Sequence, residues 1–145
     1  MHGGAAQFAA GMWEFAKGNT FGATAFTSYG AFWLSFWWLT AHLADYKIPA
    51  ADVGKGVGLY LIAWAIFTAY MTVAASRVSG AVLAVFVLLT ITFLLLGVGD
   101  MSGTENLNKL GGYVGILTAL AAWDASFAGV TAVTFKRPLV PTGPR

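Results

Sequence analysis

The chain has 145 residues, of which 58% are hydrophobic and only 10% charged, with a formal net charge of +2. A water-soluble domain of this size carries about a quarter charged residues to cover its surface, so the shortfall requires a surface that faces lipid. The absence of cysteine excludes disulfides, thiolate zinc sites and Cys nucleophiles, and a charge so small and scattered excludes a nucleic-acid partner.

The first segment, Gly3–Lys17, reads as a helix that is short for a full crossing and opens without a cap. The residues before and around its start carry no basic region and no continuous apolar run, so no cleavable signal peptide is expected. Four longer blocks follow, Thr20–Leu39, Val57–Ala75, Gly80–Gly99 and Gly111–Phe135. Each matches the roughly 20 helical residues that cross a bilayer. Six Trp within 15% aromatic residues fit membrane interfaces. Polar stretches separate the blocks: Ala41–Gly56, Ser76–Ser79 and Asp100–Lys109. The expected fold is all-α, a polytopic transmembrane helix bundle with four full spans plus a partial N-terminal one. Residues 1–135 make one membrane domain. Residues 136–145 make a tail whose three prolines predict extended or disordered chain.

Alternating the segments puts Lys17, Arg77, Lys136, Arg137 and Arg145 on one side of the membrane and Lys47, Lys55 and Lys109 on the other. The excess of Lys and Arg places the Arg77 turn and the tail in the cytoplasm. In the last block, Gly111, Gly115, Ala119, Ala122, Ala125 and Gly129 recur at helical spacing. They predict a face where a second helix approaches closely, within one protomer or between protomers.

The densest polar run inside an apolar block lies between Asn19 and Tyr29. Thr20, Thr24, Thr27 and Ser28, with Ser35 beyond them, share one helix face beside Phe26, Tyr29, Trp33 and Phe36. Serine and threonine can bond back to their own helix, so packing explains any one of them. The whole row fits a lined pathway. Asn19 stands where an N-cap is expected, and the helix start behind it would offer N–H groups to a carboxylate, as broken helices of transporters do. An ordinary capped turn is the plainer alternative. Glu14 and Lys17 are spaced to pair on a helix surface. Asp124 falls near the middle of the last block, where an ionised carboxylate costs about 3 kcal/mol. It must be protonated, paired or wet there, which makes it a candidate proton site or an oligomer-facing residue. Gln7 is a second polar candidate. Histidines and acids are not spaced for a metal, and no nucleophile has a base, so neither cofactor nor enzymatic activity is expected.

The run from Gly3 to Phe15, then Gly18-Asn19-Thr20-Phe21-Gly22-Ala23-Thr24-Ala25-Phe26-Thr27-Ser28-Tyr29-Gly30-Ala31-Phe32-Trp33, is very similar to the signature of the acetate uptake transporter family. That family comprises bacterial acetate/succinate permeases and fungal acetate or ammonia-export proteins. The likeness continues in Gly58-Leu59-Tyr60, Phe67-Thr68, Leu89-Thr90, Gly99-Asp100, Gly112-Tyr113-Val114-Gly115 and the tail from Leu139 to Gly143. The resemblance implies six transmembrane helices with both ends cytoplasmic, in the plasma (inner) membrane. It also implies a homohexamer with one pathway per protomer and proton-coupled movement of acetate, related monocarboxylates or succinate.

The family's first helix follows an Asn-Pro-Ala-Pro-Leu-Gly-Leu motif that this sequence lacks. Gly3 corresponds to a point inside the family's second helix, which accounts for the short first segment. By resemblance, Tyr29 and Leu89 belong to a narrow apolar gate, and Ala122 stands where side-chain size bears on substrate choice. Asp124 replaces a tyrosine common in the family. The leading expectation is a small-carboxylate transporter or channel in which Asn19, Thr20, Thr24 and Ser28 replace water around the substrate. A structural or accessory membrane subunit, expected if Met1 is the true start, and a channel for a neutral solute such as ammonia or urea are the alternatives.

Overall fold

The computed structural model describes residues 1–143; Pro144 and Arg145, the end of the expected tail, lie outside the described residues. The α-helices are α1 (His2–Ala16), α2 (Thr20–His42), α3 (Ala50–Ala75), α4 (Gly80–Ser102) and α5 (Glu105–Thr134), with a 3-10 turn at Leu43–Tyr46 after α2. They fall into two compact units, Met1–Pro49 and Ala50–Arg145.

The first unit is an antiparallel hairpin of α1 and α2. Its backbones touch because glycine stands at the crossing points. A Cβ on Gly11 would lie 2.5 Å from the Thr27 nitrogen, and one on Gly30 would lie 2.6 Å from the Phe8 nitrogen. Small residues permit this approach where no hydrophobic effect drives helices together. The reversal between the helices is short. Gly18 takes φ +76°, which ends α1, and the Asn19 side chain then caps α2 by accepting from the Gly22 N–H at 3.0 Å.

In the second unit α4 packs against both α3 and α5. Interhelical polar bonds join them: Thr72 to Thr90 at 3.1 Å, Thr92 to Thr118 at 3.2 Å, and Asn108 Nδ2 to Asp100 Oδ1 at 2.8 Å. Each of the four threonines also sits 2.8 Å from its own i−4 carbonyl. A hydroxyl has one proton. In each pair, therefore, one threonine bonds back to its helix while the other donates across. Asn108 Oδ1 is buried without a hydrogen-bond partner, yet it fills the space where a side chain on Gly99 would stand. A Gly99 Cα–H is aimed at it, a weak bond that only glycine leaves room for.

Among the described residues, three helices are long and apolar enough to cross a membrane, over Asp52–Ala75, Gly80–Ser102 and Glu105–Thr134. The fourth expected span, α2, has the length at 23 residues. It falls short in hydropathy because aromatic rings and hydroxyls crowd it. The Ser76–Ser79 connection has the expected bounds, whereas the other two expected polar connections prove shorter than the sequence indicated. Asp100 lies inside α4, and Glu105 and Lys109 lie inside α5, joined at 2.8 Å across one turn. Only Gly103, at φ +66°, and Thr104 make the turn. The row of small residues on α5 divides. Gly111 faces Leu95 and Leu96 and Gly115 faces Thr92, whereas Ala119 and Gly129 point outward.

The tail after α5 is non-helical, as its prolines require, but it is held. Gly80 N–H donates to the Gly143 carbonyl at 2.8 Å and Ala81 N–H to the Thr142 carbonyl at 3.0 Å. Ser79 Oγ accepts from the Val82 N–H. The first three amides of α4, orphans in an uncapped helix, are thus satisfied.

Candidate functional site

In the first unit the expected polar residues gather around the α1–α2 turn and along α2. Asn19 uses both ends of its amide. Oδ1 caps α2, and Nδ2 donates to Glu14 Oε2 at 2.5 Å. The Asn19 carbonyl accepts from Ala23 N–H at 2.8 Å, and its own N–H donates to the Glu14 carbonyl at 3.0 Å. The α2 start therefore offers a ligand fewer N–H groups than the sequence implied. The expected Glu14–Lys17 pair is not formed among the described residues. Glu14 takes the Asn19 amide instead, while Lys17 Nζ lies 5.7 Å from the centroid of the Trp13 ring. The charged head thereby stays at the surface over an aromatic face.

Thr24 and Thr27 line an open groove of about 300 Å³ together with Met12, Phe15 and Ala23. Both hydroxyls donate to their own helix, Thr24 to the Thr20 carbonyl at 2.8 Å and Thr27 to the Ala23 carbonyl at 2.6 Å. Neither hydroxyl therefore has a proton left to donate to a ligand. Thr20 is exposed and Ser28 half-buried. Ser35 likewise bonds back, to the Ala31 carbonyl at 2.7 Å. Tyr29 is buried within the unit at 7% exposure. Gln7, half-buried on α1, lines a separate groove of about 290 Å³ with Gly4, Trp33, Phe36 and Trp37. Gln7 thus stands apart from the threonine groove.

In the second unit Leu89 is half-buried on α4 and Ala122 half-buried on α5. The register that sets Leu96 against Gly111 and Thr92 against Thr118 brings Leu89 level with the Ala121–Ala122 turn. Asp124 is exposed, flanked on its face of α5 by Leu120 and Phe127, which are also exposed. It has no hydrogen-bond or ion-pair partner among the described residues. No group of acids and histidines spaced to hold a metal occurs among the described residues.

The sequence profile of the GPR1/FUN34/yaaH family matches residues 1–141. The chain belongs to this family. Acetate permease A of Emericella nidulans is 42% identical over 144 residues, covering 89% of this chain and 48% of the relative. The succinate-acetate/proton symporter SatP of Escherichia coli is 36% identical over 144 residues, covering 98% of this chain and 75% of the relative. The structure of the bacterial acetate channel SatP matches with a TM-score of 0.86 at 33% identity, covering 96% of this chain and 76% of that one. The chain spans about half the length of the fungal relatives it matches.

Membership in this family makes the chain a multi-pass helical membrane protein. It also gives the buried threonines of the second unit a setting in lipid. Thr68, Thr92 and Thr118 are buried, and the Thr72–Thr90 and Thr92–Thr118 bonds join successive spans. Sequence reasoning did not single these out as a set. The signal was present, since each is a hydroxyl inside a largely apolar block, where an unsatisfied polar group is costly.

Proposed function

We propose that this chain moves acetate and other small carboxylates, succinate among them, across the plasma (inner) membrane as the neutral acid, the proton travelling with the anion. The reading is carried by the likeness to the acetate channel, at a TM-score of 0.86 over 96% of the chain. The chemistry of the first-unit groove supports it. Thr24 and Thr27 spend their protons on backbone carbonyls and keep only lone pairs for a ligand. A lone pair accepts from a carboxylic acid O–H and repels a carboxylate, whereas an ionised carboxylate would need donors. Moving the acid in neutral form also avoids the desolvation of a charge, which far exceeds that of a hydrogen-bonding neutral group.

The proposed roles follow. Thr24 and Thr27, with Thr20 and Ser28 nearby, replace water around the acid. Asn19 and Glu14 hold the turn that positions them. Tyr29 in the first unit and Leu89 in the second are assigned as gate residues, Ala122 as the position limiting substrate size, and Asp124 as a proton site. No catalytic step belongs to this reading. The protomers assemble as a homohexamer with the tail in the cytoplasm, in keeping with the five-against-three distribution of Lys and Arg.

The test is labelled-acetate uptake into proteoliposomes with an imposed pH gradient. Uptake should rise when the outside is acidified. Thr27→Val, which removes the lone pairs at constant volume, should lower it about tenfold, while Thr27→Ser should keep it. Proteoliposomes that take up neither acetate nor succinate under any gradient would overturn the reading and leave an accessory subunit.

A further inference from the structure

The two ends of the second unit treat their cations differently. At the end holding the α4–α5 turn, Lys109 pairs with Glu105 at 2.8 Å and Lys55 with Asp52 at 3.3 Å. At the other end stand Arg77, in the α3–α4 turn, and Lys136 and Arg137, directly after α5. All three are exposed, and none has an acidic partner among the described residues. No Asp or Glu occurs in Ser76–Ser79 or from Phe135 to Gly143. The nearest acid along the chain is Asp124, ten residues before the end of α5 and so about 15 Å along the helix.

The packing of α4 against both α3 and α5 brings these cations to one end, and the tail ties that end together. Its carbonyls at Thr142 and Gly143 accept from Ala81 and Gly80, so the segment after Arg137 crosses back to the start of α4 like a strap. Lys136 stands at φ +54°, where the chain turns out of α5. Beside the cations, Val78, Phe135 and Leu139 are exposed at 42%, 59% and 43%. Unpaired guanidinium and ammonium groups alternating with exposed apolar side chains, at the end of membrane-crossing helices, match a lipid headgroup and its first methylenes. Arginine holds phosphate bidentately, and the apolar residues enter the acyl boundary.

We propose that this end of the second unit is a seat for anionic phospholipid headgroups, formed by Arg77, Lys136 and Arg137 and held in shape by the strap from Pro138 to Gly143. The seat is independent of which solute the protein moves, so its failure would leave the transport reading untouched.

The experiment reconstitutes the full chain in mixed bilayers. It compares the association of spin-labelled phosphatidylglycerol with that of spin-labelled phosphatidylcholine. Wild-type protein should prefer phosphatidylglycerol, and added salt should erode the preference. Each neutralisation among Arg77→Gln, Lys136→Gln and Arg137→Gln should cost up to about fivefold in relative association at low salt. Lys55→Gln with Lys109→Gln, at the opposite end, should change it little.

Gly80→Pro tests the strap. Proline is tolerated at the first position of a helix, and Ser79 before it is already extended at φ −161°, ψ 162°. The substitution therefore removes one strap bond and leaves every cation in place. It should reduce the preference by at least twofold with helix content unchanged. An unaltered preference in the triple neutral variant, or an equal loss in the Lys55/Lys109 variant, would overturn the seat. Displacement of the lipid by millimolar glycerol phosphate would overturn its assignment to a membrane headgroup in favour of a free phosphate. Full retention in Gly80→Pro would overturn the role of the strap.

Discussion

The carboxylate of Glu14, on the last turn of α1, accepts from the side-chain amide of Asn19 while that same amide caps α2. One residue thus ties the end of one helix to the start of the next. Gly22 completes the arrangement, because a Cβ there would lie 2.6 Å from Asn19 Nδ2 and 3.1 Å from Glu14 Oε2.

The link predicts an asymmetric response at Asn19. Asn19→Ala removes the cap and frees Glu14, and should destabilise the protein by about 1 kcal/mol. Asn19→Asp keeps the cap acceptor but sets two carboxylates against each other, so it should stabilise less than Asn at neutral pH and recover as the pair is protonated. Equilibrium unfolding in mixed micelles measures both. Equal stability of the Ala variant and wild type would mean that water replaces the cap without loss.

A second prediction concerns the Thr92–Thr118 bond, 3.2 Å across α4 and α5. Thr92→Val and Thr118→Val should each destabilise by about 1 kcal/mol, and the double variant by less than the sum. Interhelical hydrogen bonds in bilayers are worth about 0.6 kcal/mol on average. The coupling should therefore be of that size, since only one of the two hydroxyls donates across at a time. A double-mutant cycle read by unfolding gives the number. Strict additivity would remove the bond from the energetic account.

How much of this was legible in the chain depends on the kind of signal. The spans α3, α4 and α5 could be read because a bilayer demands continuous apolar length; the expected blocks began at Gly80, where α4 begins, and ended at Phe135, one residue past the end of α5. The Asn19 cap was legible because the rule is local. Its partner was not. Glu14 stands five residues before Asn19, spaced for Lys17 instead, and only the turn at Gly18 brings the carboxylate to the amide. Tail prolines correctly indicated non-helical chain, but the bonds from Gly80 and Ala81 are long-range and involve backbone alone, which leaves no trace in residue type. The pairing of Thr72 with Thr90 and Thr92 with Thr118 depends on helix register, which apolar blocks without strong periodicity do not fix.

Asp124 provides a third prediction. It is exposed between Leu120 and Phe127 on α5, within a span where a charged carboxylate costs about 3 kcal/mol. As the assigned proton site, its replacement by Asn should leave protein yield and folding intact or improved. It should reduce acetate uptake driven by an inward proton gradient, because an amide cannot take up and release a proton as a carboxyl group does. Gradient-driven uptake identical to wild type would return Asp124 to an interfacial role. An Asp124→Glu control should keep the uptake, since it retains a carboxyl group.

Leu89 gives the sharpest test of the gate. Its half-buried side chain on α4 is level with Ala122 on α5, so the two act on the same layer of the second unit from adjacent helices. Leu89→Ala removes three carbons from that layer and should admit longer acids such as butyrate, with acetate uptake kept within about threefold. Ala122→Val adds two carbons to it and should narrow the range, excluding succinate before acetate. If the layer acts as one constriction, the two changes should offset each other in the double variant, since neighbouring positions couple rather than add. Competition of unlabelled acids against labelled acetate measures the range in each variant. A Leu89→Ala protein with wild-type selectivity would remove the gate from α4 and confine selection to the hydroxyl-lined groove of the first unit.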